Sequence, residues 1–106
     1  IVIRDFLTHS VRESIYRTAL EERIATVTEQ RDFAEAGAFM SYGADTRDLF
    51  RRAAAYADRI LKGDRPGDLP IQLATKLELV INQRTARAIG MVVPPSVLVR
   101  ADEVIE

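Results

Sequence analysis

Ser41-Tyr42-Gly43 is the run whose residue types and position best suit the binding of a small molecule. It closes an apolar stretch from Ala38 to Met40 and precedes a helix that Asp45 can cap. In open α/β sheets, ligands gather outside the carboxyl ends of strands. Free amides at a helix N-terminus suit an anionic group such as a carboxylate. A serine hydroxyl orients polar ligand atoms, and a tyrosine ring stacks on flat or apolar ones. The same three residues also serve to turn a corner, with Tyr42 on the core and Gly43 permitting the bend.

No other set of residues forms a catalytic pattern. His9 is the single histidine and adjoins Ser10, but residues adjacent in sequence rarely form a nucleophile–base pair. A lone histidine without cysteines is also a poor metal site, so no metal and no cofactor are expected. The carboxylates Glu21-Glu22, Asp45, Asp48 and Asp102-Glu103 are scattered, with no register that would push two pKa values apart. Gly37, Gly43, Gly63, Gly67 and Gly90 form neither a dinucleotide fingerprint nor a phosphate loop. Arg47, Arg51, Arg52, Arg59 and Lys62 are interrupted by Asp48 and Asp58 and lack an aromatic platform, so they read as a solvated helix face rather than a nucleic-acid surface. The chain is not expected to be an enzyme.

The elements that must position the Ser41 run follow from periodicity. "IVIRDF" reads as the end of a strand. Ser10 and Glu13 fit a capping box for a helix carrying Val11, Ile15, Ala19, Tyr16 and Leu20. Ile24 to Val27 is rich enough in β-formers for a strand. Arg31 to Ala36 makes one or two helical turns, stopped by Gly37. Phe39 to Tyr42 is the next strand. Asp45 then opens a helix whose apolar face runs Leu49, Phe50, Ala53, Ala54, Ala57, Ile60 and Leu61 up to Gly63.

"GDRPGDLP" is a loop by composition. Leu77, Leu79 and Ile81 alternate as in a strand, and Asn82 can cap a short helix ended by Gly90. Ser96 can cap a last turn after Pro94-Pro95, and "ADEVIE" reads as an extended tail. Strands alternating with helices imply an α/β sheet with parallel pairings.

Composition agrees with one modest domain. The chain has 106 residues, 47% hydrophobic and 29% charged, in the range of soluble globular proteins. A net charge of -1 provides no global field for nucleic acid or anionic membrane. With no cysteine there is no disulfide framework. The opening "IVIRDF" reads as the inside of a strand, so the chain is expected to be a piece of a longer one.

Four stretches carry a family resemblance: "FAEAGAFMSYG", "RRAAAYADRILKGDRPGDLP", "TKLELVINQRTARAIG" and "VPPSVLVRADEVIE". In that order, over Arg31 to Glu106, they resemble the C-terminal part of ABC-transporter substrate-binding proteins of the tryptophan/tyrosine-uptake type. Residues 1 to 30 match more loosely. The chain departs from the family pattern at Ala38, Ala74 and Leu77, which are packing and turn positions.

The resemblance implies a periplasmic-binding-protein (type I-like) fold: parallel sheets flanked by helices, two lobes, hinge strands and a ligand between the lobes. Residues 1–75 are then part of one lobe, and residues 76–106 a hinge-crossing strand and the closing C-terminal segment. The implied function is a periplasmic or extracytoplasmic receptor that delivers a small solute, such as an aromatic amino acid, to an ABC-importer permease. The expected ligand residues are Ser41, Tyr42 and Gly43, with Arg31 and Phe33 added because the family's equivalent segment also approaches the cleft. The other reading is a structural or sensory interaction module that keeps the lobe without its ligand. A lobe fragment exposes apolar surface, so a homo-oligomer or swapped dimer is expected.

Overall fold

The computed structural model describes all residues from Ile1 to Glu106. The element order is α1 (Phe6–Ser10), α2 (Arg12–Glu21), β1 (Val27–Thr28), α3 (Arg31–Glu35), β2 (Met40–Ala44) and α4 (Thr46–Leu61). A 3-10 turn (Pro66–Asp68) follows, then β3 (Leu77–Asn82), α5 (Gln83–Ala88), α6 (Pro95–Leu98) and β4 (Glu103–Ile105). The strands lie in the order β1-β2-β3-β4.

The sheet is mostly parallel. Val27 and Thr28 pair with Met40 and Ser41, and Val80, Ile81 and Asn82 pair with Glu103, Val104 and Ile105, both in parallel. The middle pair runs the other way. Asn82 donates its amide to the Phe39 carbonyl at 2.8 Å, while Asp45 donates to the Lys76 carbonyl at 3.0 Å. Residue numbers that rise on one strand as they fall on the other define an antiparallel pair. The expected parallel pairings hold for the two outer pairs, and the central pair is antiparallel.

The chain divides into two compact units. One holds Ile1–Gly43 and Glu78–Glu106, the other Ala44–Leu77. The chain passes between them twice, at Gly43–Ala44 and at Leu77–Glu78.

In the first unit, Phe33, Ala34, Ala38, Val80, Ile81, Ala86, Ile89 and Tyr16 are buried. Tyr16 meets Phe33 edge-on with ring centroids 6.0 Å apart, and His9 stacks on Phe33 at 5.8 Å. The Tyr16 hydroxyl is buried without a hydrogen-bond partner, and burial pushes its pKa up to about 12. Asn82 joins strand to helix. Its side chain accepts from the Thr85 amide at 3.0 Å, as a cap should, and donates to the Ala34 carbonyl at 2.9 Å.

In the second unit, Asp45 caps α4 by accepting from the Arg47 and Asp48 amides. The polar side of α4 holds the returning segment, with Arg52 reaching Thr75 and Tyr56 donating to the Pro70 carbonyl. Leu49, Phe50, Ile60 and Leu61 on its apolar side are exposed.

Local signals near the N-terminus resolve differently from the sequence reading. The capping box belongs to Asp5 and Thr8, which starts a helix four residues before Ser10. Ser10 sits inside α1 and donates to the Leu7 carbonyl instead. "IVIRDF" makes a single bridge, Val2 to Thr28, rather than a strand. Of Ile24 to Val27, only Val27 enters the ladder. Pro94, not Ser96, occupies the cap position of α6. The tail after Asp102 is strand β4.

Candidate functional site

The candidate site gathers where β1 and β2 end and β3 and β4 begin. Glu29, Gln30 and Arg31 connect β1 to α3 at this end of the sheet. The Arg4 amide donates to the Glu29 carboxylate at 2.6 Å, and the Arg4 guanidinium donates to the Gln30 side chain at 2.6 Å. Beside this turn runs β2, which carries Ser41, Tyr42 and Gly43.

Successive side chains on a strand point to opposite faces. Ser41 is 2% exposed and pairs with Thr28, whereas Tyr42 is 54% exposed. The two residues joined in the sequence reading therefore serve different sides of the sheet. Tyr42 offers a ring to solvent or a solute. Ser41 is buried beside Thr28 of β1.

Gly43 is a close-approach glycine. A β-carbon built on it would overlap the Glu29 carbonyl oxygen and lie 3.0 Å from the carbonyl carbon. This is a stronger requirement than the corner considered from sequence, because backbone occupies the space a side chain needs.

Arg31 is engaged by three carboxylates. It reaches Glu35 at 2.8 Å, Glu78 at 3.0 Å and Glu103 at 2.7 Å. The Glu35 carboxylate leads the carboxylate contacts that raise its pKa above the usual arginine value. Its guanidinium ties α3 to the first residues of β3 and β4. Phe33 is 0% exposed at the centre of the core, between His9 and Tyr16, and has no surface to present to a solute. Its apolar ring is worth more buried among aromatic neighbours than at a wet rim.

Glu29, Glu78 and Glu103 were absent from the sequence candidates. Glu29 lies two residues before Arg31, and its carbonyl stands where a β-carbon on Gly43 would go. Glu78 and Glu103 are brought to Arg31 across 47 and 72 residues. No cluster of histidine, cysteine or carboxylate side chains could hold a metal ion. No helix is long and apolar enough to cross a membrane.

Comparison with known proteins bears on the whole chain. A family model described as ABC transporter substrate binding protein matches residues 1–105. A curated relative from Clostridioides difficile, named tyrosine-binding protein, is 28% identical over 87 residues, covering 82% of this chain and 25% of that protein. A conserved domain protein from Vibrio cholerae superposes with a TM-score of 0.86 at 30% identity, over 96% of this chain and 34% of the other. An ABC domain from Streptococcus pneumoniae in complex with L-Trp superposes with a TM-score of 0.83 at 26% identity, over 95% of this chain and 35% of the other. The chain thus spans a quarter of the curated relative and about a third of the solved structures.

Proposed function

The chain belongs to the ABC transporter substrate-binding protein family, and from that premise we propose that it forms part of a receptor for a small solute, with Tyr42 as the contact residue this chain supplies. The family binds its substrates and does not transform them. The observation that carries the reading is the exposed Tyr42 ring on β2, one residue from the point where the chain leaves its first unit. An exposed aromatic on an otherwise well-packed strand gives a flat solute a stacking surface.

The relative named for tyrosine and the structure holding L-Trp support an aromatic amino acid as the solute class. The receptor hands this solute to the permease of an ABC importer and works outside the cytoplasm. Ser41 and Gly43 shape the strand under Tyr42, and Arg31 orders the strands beside it. We read β3 as a hinge-crossing strand of the whole receptor, followed by the closing C-terminal segment. The exposed apolar side of α4, with Phe50 at 73% exposure, supports self-association of the isolated chain. Sedimentation at micromolar concentration would then show a dimer or larger species, and a monomer would contradict it.

Native mass spectrometry of the protein carrying this chain tests the solute reading. A retained adduct with the mass of an aromatic amino acid is expected. Only ligand-free protein, before and after adding L-tryptophan or L-tyrosine, would count against it.

A further inference from the structure

The backbone hydrogen bonds that tie β2 to β3 set which residues face each other. Asn82 donates to Phe39, and Asp45 donates to Lys76. Three steps inward from either bond, Tyr42 stands directly opposite Leu79. On either side of that pair, Ser41 falls opposite Val80 and Gly43 opposite Glu78. Ser41 and Val80 are buried, whereas Tyr42 is exposed and Leu79 half-buried, as strand alternation requires.

Leu79 turns both of its backbone groups away from Tyr42 and towards Asp102. Its carbonyl accepts from the Asp102 amide at 2.9 Å, and its amide donates to the Asp102 carboxylate at 2.8 Å. Tyr42, Leu79 and Asp102 therefore form one row across β2, β3 and the residue that leads into β4. All three belong to the first unit.

Asp102 is exposed, and one carboxylate oxygen, Oδ2, is fixed by the Leu79 amide. No basic side chain pairs with it. The acidic residues nearby differ. Glu78 and Glu103 accept from Arg31, and Glu29 accepts from the Arg4 amide. Asp102 is thus a held carboxylate without a cation, in line with an exposed aromatic ring.

We infer that Asp102 is a specificity-determining residue that accepts a hydrogen bond from the ammonium group of the solute while the solute's ring lies against Tyr42 and Leu79. This rests on the proposed receptor function and deepens it, by stating which end of the solute each residue reads. Two strand spacings, about 10 Å in all, separate the backbone at Tyr42 from that at Asp102. A flat ring fills the nearer part of this row, and the two carbon atoms between ring and ammonium in an aromatic amino acid fill the rest. Hydrogen bonds to charged groups are stronger than neutral ones, and a bound solute shields the pair from water.

Calorimetric titration of the protein carrying this chain tests the assignment with matched ligands. L-tryptophan is compared with indolepropionate, and L-tyrosine with hydroxyphenylpropionate; each second ligand keeps the ring and carboxylate and lacks the ammonium. The parent is expected to prefer the amino acid by about tenfold or more. Asp102→Asn keeps an oxygen for the Leu79 amide and removes the charge. It is expected to weaken the amino acid by about tenfold or more, to leave the deaminated ligand within about twofold, and to melt close to the parent. Glu106→Gln removes a charge from the same tail and is expected to change neither affinity.

An unchanged affinity for the amino acid in Asp102→Asn would overturn the inference, as would a parent that binds both members of a pair equally. Equal weakening of both ligands in Asp102→Asn would overturn it too, by showing a disturbed sheet instead of a lost charge contact. These results would leave the proposed function standing. Failure of the parent to bind either amino acid would remove that function and this inference together.

Discussion

Ser41 and Tyr42 are neighbours on β2 with opposite surroundings: the first is buried against the strand pair, the second stands exposed. The distinction follows from strand alternation, not from chemistry. It predicts that the two behave differently when truncated. Tyr42→Ala should weaken solute binding by about tenfold or more, the equivalent of about 1.4 kcal/mol, with the melting temperature little changed. Ser41→Ala should do the reverse, leaving affinity within about twofold while altering stability by about 1 kcal/mol. Calorimetric titration beside thermal melts checks both. An unchanged dissociation constant in Tyr42→Ala would remove that ring from the site.

Gly43→Ala places a methyl group where the Glu29 carbonyl stands. Backbone must move to admit it, and overpacking of that kind costs about 1–3 kcal/mol. The loss should appear in urea denaturation as a lower midpoint. Gly67→Ala is the control, because a β-carbon there meets nothing and the position is exposed. Equal stability of the two variants would contradict the close approach.

The ion pair of Asp45 and Lys76 gives stability a defined pH window. The Lys76 ammonium, and then the Asp48 amide, hold the Asp45 carboxyl below its ordinary value of 3.8. The Asp45 carboxylate in turn holds Lys76 above 10.5. A depressed carboxyl contributes above its unfolded pKa and loses that contribution as pH falls through the lower folded value. A raised ammonium contributes below its unfolded pKa and loses it as pH rises through the higher one. The pair is therefore intact across the neutral range and fails first below pH 3.8 in acid. Asp45→Asn should flatten the acid limb of a stability–pH curve measured by urea unfolding. An acid limb as steep as the parent's would show that other carboxylates govern it.

The features legible in the sequence are those with a local cause. Asp45 and Asn82 cap helices because each can reach amides two or three residues ahead. Gly37, Gly63 and Gly90 adopt positive φ just after helices, where left-handed backbone suits glycine. Ser10 misled because Ser10–Glu13 fits the same box as Asp5–Thr8, and the earlier box won. β4 was hidden because a short strand is defined by its partner: Glu103–Ile105 is extended in isolation and becomes a strand only beside β3. The family was visible in four stretches of residues. The exposure of Tyr42, the burial of Phe33 and the carboxylates around Arg31 were not, since each depends on residues far away in the chain.

Isothermal titration of the protein carrying this chain with L-tryptophan and then L-tyrosine tests solute binding most directly. Saturable binding of at least one of them is expected, weakened about tenfold or more in Tyr42→Ala. No heat of binding from either, repeated across a panel of the other amino acids, would contradict it.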